Sequence, residues 1–240
     1  MEFRGSLTEL AGGSCRRVGV VEPRSVKDLI ESVGVPHTEV AAITVDAVPV
    51  HLDHRIGGGE HVVALPPGYA EASRGARSLL PPPPEPRRFV LDVHLGTLAR
   101  RLRLLGFDCW YRTVAPDRIL AAVAVEEHRI LLTRDRQLLM RRRIVHGYCP
   151  RSDDPDRQLG EVVARFGLRH RVSPLTRCIA CNGRLAPVAK EQVAAAVPAR
   201  TREVIDRYAR CTACGKVYWP GSHLSPIAEI LRRAGVELSR

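Results

Sequence analysis

Seven cysteines stand at positions 15, 109, 149, 178, 181, 211 and 214. Four of them form two Cys-x-x-Cys pairs, Cys178 with Cys181 in "CIAC" and Cys211 with Cys214 in "CTAC". Each pair can grip one side of a tetrahedral ion, and Zn2+ favours thiolate, so the quartet predicts a zinc ribbon. Four thiolates leave no open coordination position. The expected role is therefore structural, with thiol redox chemistry as the minor alternative. The 29 residues between the pairs exceed the usual ribbon spacing, and "VAKEQVAAAVPARTREVIDRYA" can hold helical structure there without disturbing the knuckles. Cys15, Cys109 and Cys149 read as small buried apolar side chains.

Carboxylates supply the second possible chemistry. In "HRILLTRDRQLL" an apolar strand, Ile130 to Leu132, breaks into Thr133, Arg134 and Asp135. "RFVLD" likewise ends a strand at Asp92, and Asp117 opens the helix between them. Aspartate after a strand is also a favoured helix cap, so each one alone has a structural explanation. Brought to one sheet edge, three carboxylates would repel each other unless a cation neutralised them. Mg2+ or Mn2+ suits such oxygen ligands, because these ions keep open positions for water and phosphate oxygens. Asp108 starts its strand and ranks low. Asp153, Asp154 and Asp156 could instead cap the helix "PDRQLGEVVARFG", and His94 follows Asp92 closely.

The elements that must position these groups follow from periodicity. Strands and helices alternate after residue 87: "RFVLD", "HLGTLARRLRLLG", "DCWYR", "DRILAAVAVEEH", "RILLTRD" and "IVHGYCP". That order predicts an α/β domain with a parallel sheet, and ligands bind such sheets at the carboxyl ends of the strands. Leu95, Leu98, Leu102 and Leu105 give the first helix an apolar face that Gly106 ends. Upstream, "PPPPEP" at 81–86 reads as a polyproline II spacer. Before it, "SVKDLIESVG" is a short amphipathic helix with a capping box, Ser25 to Asp28. Strands are expected at Glu2–Leu7, Val18–Glu22, Ala42–Val50 and His61–Leu65, which together suggest a small α+β β-grasp domain. The expected organisation is residues 1–80, linker 81–86, sheet domain 87–172, and ribbon with C-terminal tail 173–240.

Two resemblances rest on these residues. "ITVDAVPVHLDHRIGGGEHVVALPP" is similar to the second half of ubiquitin-like sulfur carriers. Those carriers end in a free Gly-Gly tail, whereas here the chain continues through "GYAEASRGARS", so an interaction or scaffolding role is expected. "FVLDVHLGTLARRLRLLGFDCWYR", Asp117 and "RILLTRDRQLL" resemble the PIN-type RNase domain at the C-terminus of Mut-seven proteins, whose members carry a zinc ribbon and often an N-terminal ubiquitin-like domain. This resemblance implies a metal-dependent ribonuclease with Asp92, Asp117 and Asp135 as its acidic residues. PIN nucleases often place a glutamate inside a central helix, and this helix offers only Glu126 and Glu127 near its end. A non-catalytic RNA- or ribosome-binding protein is therefore the alternative.

Charge agrees with a polyanionic partner. The net charge is +11, with −2 over residues 1–80, −1 over 81–86, +8 over 87–172 and +6 over 173–240. Candidate phosphate contacts are Arg100, Arg101 and Arg103, Arg134 and Arg136 beside Asp135, the run Arg141, Arg142 and Arg143, and Lys216. The aromatics of "KVYWPGSH" could stack on bases or cover the zinc site. The RNA class (tRNA, rRNA or mRNA) is not legible, and a protein partner of the ubiquitin-like domain is possible. The start "MEFRGSLTEL" does not read as a secretory signal, and no apolar run approaches a membrane span, so a cytoplasmic location is expected.

Overall fold

A computed structural model of the chain describes residues 1–69, 78–220, 229, 231 and 232. Most of "GYAEASRGARS" and the end of "KVYWPGSH", Gly221 to His223, lie outside the described residues. The first elements are β1 (Glu2–Phe3), α1 (Leu7–Ala11), β2 (Arg24–Ser25), α2 (Val26–Ser32), β3 (Ala42–Val45), β4 (Val48–Pro49), β5 (Arg55–Ile56) and β6 (Val62–Leu65). They are followed by β7 (Arg88–Leu91), α3 (Gly96–Leu104), β8 (Asp108–Tyr111), α4 (Asp117–Glu126), β9 (Ile130–Leu132), α5 (Arg136–Leu139) and β10 (Gly147–Tyr148). The remainder are α6 (Pro155–Phe166), β11 (Leu185–Val188), α7 (Ala199–Val204), β12 (Tyr208–Cys211) and β13 (Val217–Tyr218). The fold is mixed α/β with parallel strand pairing. Two compact units emerge: Met1–Pro84 with Asp117–Cys149, and Glu85–Pro116 with Pro150–Arg240.

In the first unit, β1, β6, β3 and β4 form one sheet in that order, with β1 and β6 parallel and the other pairs antiparallel. Helix α2 buries Val26, Leu29 and Ile30, and its capping box forms as expected: Ser25 Oγ accepts from the Asp28 N–H at 3.0 Å. The expected strand Ala42–Val50 is two strands, because Asp46 and Ala47 take positive φ (48° and 67°) and turn the chain back. Glu2–Leu7 is extended only at Glu2–Phe3, and Leu7 begins α1. Val18–Glu22 is not a strand. Val18 and Val20 are half-buried, whereas Val21 is almost fully exposed. Cys15 is exposed, not buried, whereas Cys109 and Cys149 are buried.

The same unit contains β9 and β10, paired parallel with Leu131 opposite Gly147. The turn His37–Glu39 packs against them. Glu39 is 1% exposed, and its Oε1 accepts from the Cys149 N–H at 2.8 Å. His37 Nε2 lies 2.9 Å from the Ile144 carbonyl and Nδ1 lies 2.7 Å from Glu31 Oε1. A Cβ on Gly147 would stand 2.5 Å from Leu139 Cδ2 and 3.4 Å from Thr38 Oγ1, so the backbone itself fills this contact.

In the second unit β7 and β8 are parallel, Arg88 opposite Asp108 through Leu91 opposite Tyr111. Phe89 meets Phe107 and Phe166 edge-on, with centroids at 5.9 and 6.1 Å. Leu95, Leu98, Leu102 and Leu105 are all buried, as the helical spacing requires. Gly106 has φ 95°, and a Cβ there would collide with the Ser173 carbonyl at 2.1 Å. Strands β11, β12 and β13 form an antiparallel sheet in that order. Among the described residues, no helix is long and apolar enough to cross a membrane.

Glu31 yields a pH-dependent expectation. Burial raises its pKa, but hydrogen bonds from His37 and Lys27 outweigh that and hold it below the ordinary 4.5. A depressed folded pKa means that the stabilisation is present above 4.5 and lost as pH falls through the folded value. Glu31→Gln should lower stability by about 1–2 kcal/mol near neutral pH. The difference from wild type should shrink as pH falls below 4.5, as read from urea midpoints along a pH series.

Candidate active site and metal centre

The sequence-expected carboxylates fall in both units: Asp92 in the second, Asp117 and Asp135 in the first. Asp92 follows the carboxyl end of β7 and is buried, and its Oδ1 accepts from the Val93 N–H at 2.6 Å. Asp135 lies beyond the carboxyl end of β9. Its Oδ1 accepts from Gln137 N at 2.8 Å and Leu138 N at 3.3 Å, which caps α5 and leaves Oδ2 outside the cap. Asp117 opens α4 half-exposed, 3.6 Å from Arg141. Capping and ligation are compatible here, since a carboxylate bound through one oxygen can present the other.

Other acidic candidates have structural duties. Asp108 accepts from Arg177 Nη2 at 3.1 Å and Asn182 Nδ2 at 2.8 Å, which ties the start of β8 to the cysteine loop. Asp154 caps α6 through Asp156 N and Arg157 N, both at 2.9 Å. Asp156 pairs with Arg101 at 2.8 Å. Glu127 pairs with Arg129 at 2.7 Å, and Glu126 and His94 are exposed.

Of the candidate phosphate contacts, Arg100, Arg134, Arg136, Arg141, Arg142, Arg143 and Lys216 are exposed. Arg101 and Arg136 have partners within the chain: Asp156 for the first, the Leu10 carbonyl (2.9 Å) for the second. Arg103 is 4% exposed and donates to the carbonyls of Cys109, Ile179 and Ala180. Burial pulls its pKa down while Cys109, Cys178 and Cys181 oppose that. Its place between two leucines gave no sign of this, because helical spacing puts it off the apolar face.

The four ribbon cysteines come together as expected. Their sulfurs all lie within 4.8 Å of one another, with Cys178–Cys214 at 3.6 Å and Cys181–Cys211 at 3.4 Å. A tetrahedron with Zn–S bonds of about 2.3 Å has edges of about 3.8 Å, so the quartet fits a structural Zn2+. A disulfide needs sulfurs at about 2.05 Å, so neither close pair is one. Each knuckle turns on a positive φ after its second cysteine, at Asn182 (68°) and Gly215 (74°). Gly183 must lack a side chain, since a Cβ would stand 2.8 Å from Cys211 Sγ.

Electrostatics at the quartet are uneven. Burial raises the Cys178 thiol, but hydrogen bonds from Tyr218 (Oη to Sγ 3.0 Å) and nearby backbone groups outweigh it and bring the pKa to about 6. Burial, with the neighbouring sulfurs, pushes Cys181 up to about 12. Four sulfurs this close cannot all ionise without a cation among them. Tyr218 is buried against Cys178 and Cys211, and Trp219 packs beside Tyr208, Val193 and Val197, so both aromatics serve the ribbon's core.

A groove of about 440 Å³ runs between α3 and the ribbon, lined by Gly96, Arg100, Tyr111, Ile179, Lys216 and Tyr218, among others. Tyr111 Oη donates to the Val93 carbonyl at 3.0 Å, which places this wall next to Asp92. A Cβ on Gly96 would stand 2.5 Å from that hydroxyl oxygen, so a side chain here would displace the ring.

Comparison with known families agrees with this geometry. Residues 87–231 match the Mut7-C RNAse domain, and residues 14–71 match Mut7-C ubiquitin. None of the curated proteins or solved structures compared with the chain matches it. The RNAse-domain match spans β7 and β9 with the aspartates that follow them, the groove and the cysteine quartet, and it covers more than half of the 240 residues. The chain therefore belongs to the Mut7-C RNAse domain family, with a Mut7-C ubiquitin-like domain ahead of it.

Proposed function

We propose that the chain is a metal-dependent ribonuclease of PIN type that acts in the cytoplasm. The observation that carries this reading is the RNAse-domain match over two strands whose carboxyl ends are followed by Asp92 and Asp135. Asp92, Asp117 and Asp135 are the proposed ligands of Mg2+ or Mn2+. Such an ion supplies an activated water and offsets charge developing on the phosphodiester. Asp135 is suited to this role because Oδ1 is held by two backbone N–H groups, which fixes the carboxylate while Oδ2 takes no part in the cap. Asp117 and Arg141 make a half-exposed pair that an ion and a phosphate could divide between them.

RNA is the proposed substrate, held by salt-dependent contacts to its phosphates. Arg100 and Lys216 flank the groove, and Arg134 and Arg141 to Arg143 are exposed in the first unit. Arg101 and Arg136 contribute less to RNA binding in this reading, because their charges are already engaged. Zn2+ on Cys178, Cys181, Cys211 and Cys214 would fix the ribbon wall of the groove.

Purified protein should cleave labelled RNA with Mg2+ or Mn2+ and stop on EDTA addition, and Asp135→Asn should lose about 100-fold in rate. Binding without cleavage by wild type would contradict the enzyme reading and favour an RNA-docking protein. Elemental analysis should find about one Zn2+ per chain, and Cys211→Ser should lose metal and lower the unfolding temperature. Less than about half an equivalent in freshly purified protein would argue against the zinc ribbon.

A further inference from the structure

The turn His37–Glu39 of the ubiquitin-like domain is held within the chain, against the segment that follows Asp135. Glu39 and Thr38 are 1% exposed and His37 is 8% exposed. A carboxylate buried to that degree is costly unless its oxygens are matched, and the Cys149 N–H supplies a match at 2.8 Å.

From Glu39 a short series of hydrogen bonds leads to Asp135. Glu39 holds Cys149 N, and His37 holds the Ile144 carbonyl, so both ends of the β10 segment are gripped. Within that segment the Tyr148 carbonyl accepts from the Thr133 N–H at 3.2 Å. Thr133 is fully buried, and its Oγ1 accepts from the Asp135 N–H at 2.9 Å. On the far side of Asp135, Arg136 Nη1 donates to the Leu10 carbonyl at 2.9 Å, in the last turn of α1. It also lies 3.5 Å from the Gly34 carbonyl, just past the end of α2. A cation is favourable at both helix ends, where carbonyls lack partners in the helix. Gly34 has φ 87°, and a Cβ there would come within 3.1 Å of the guanidinium.

We infer that the ubiquitin-like domain is a built-in positioning element for Asp135, acting through Glu39 on one side and Arg136 on the other. Arg136 is thus a positioning residue and not a phosphate contact. The inference rests on the proposed role of Asp135 in the ribonuclease, but it has a readout of its own.

The test uses the full chain with Glu39→Ala, Glu39→Gln and Arg136→Met. Glutamine keeps an acceptor oxygen for Cys149 N, so Glu39→Gln should behave like wild type. Amide exchange over residues 131–138 should quicken about 10-fold or more in Glu39→Ala and Arg136→Met, with the ribbon unaffected. In RNA cleavage both should lower kcat about 10-fold, with KM within about 2-fold of wild type. Should Glu39→Ala fail to fold, Arg136→Met decides the matter. Unchanged exchange over 131–138 in Arg136→Met overturns the inference, as does a raised KM with unchanged kcat, the sign of a lost phosphate contact. If wild type cleaves no RNA, the ribonuclease reading fails, and the exchange measurements alone decide whether the domain holds Asp135 in place.

Discussion

Glu39, 1% exposed, accepts a hydrogen bond from the backbone of Cys149, 110 residues further along the chain. Removing a carboxylate from water costs several kcal/mol unless donors replace the lost hydration. The position is therefore intolerant of a loose arrangement: residues 37–39 and 144–149 must meet, or the charge must return to solvent. Once they meet, β10 is fixed. β10 pairs in parallel with β9, and β9 leads directly to Asp135. The compact unit that results combines Met1–Pro84 with Asp117–Cys149, out of sequence order.

The second unit is organised around charge in a similar way. The Arg103 guanidinium, almost completely buried, donates to Cys109 in β8 and to Ile179 and Ala180 in the first knuckle. Asp108 binds Arg177 and Asn182 from the same loop. These contacts seat the cysteine quartet against the strand pair β7 and β8, and the groove beside Asp92 takes its second wall from the ribbon. A ribbon without its ion would leave four crowded sulfurs in competition for protons, with Cys178 acidic and Cys181 basic. Zn2+ would relieve that competition, so the metal and the groove are one structural problem.

Signals of capping, helical periodicity and metal-ligand spacing were reliable. The leucine spacing of α3, the Ser25 capping box, the Asp154 cap and the cysteine pairs all follow from rules that act within a few residues, and the structure follows them. Long-range partners were not legible. Arg101, Arg103 and Arg136 read as phosphate contacts because nothing nearby in sequence announces Asp156, the Ile179 carbonyl or the Leu10 carbonyl. "PHTEV" gave no sign of the seam it forms, since a buried Glu39 and an exposed glutamate look alike without the Cys149 N–H that it binds. Val18–Glu22 had the composition of a strand, but the segment forms none, with Val21 turned almost wholly to solvent. The three aspartates were legible as positions, because each sits where a strand ends or a helix begins.

The central claim is that water, activated by an ion on these aspartates, attacks an RNA phosphodiester. Cleavage in 18O-labelled water tests it most directly. In-line attack by water forms a new P–O bond to solvent oxygen as the P–O bond to the leaving ribose breaks. The account predicts product RNA with a terminal phosphate carrying one 18O atom, formed only with the divalent ion present. A 2′,3′-cyclic phosphate without label would instead mean attack by the neighbouring 2′-hydroxyl, and would contradict the account.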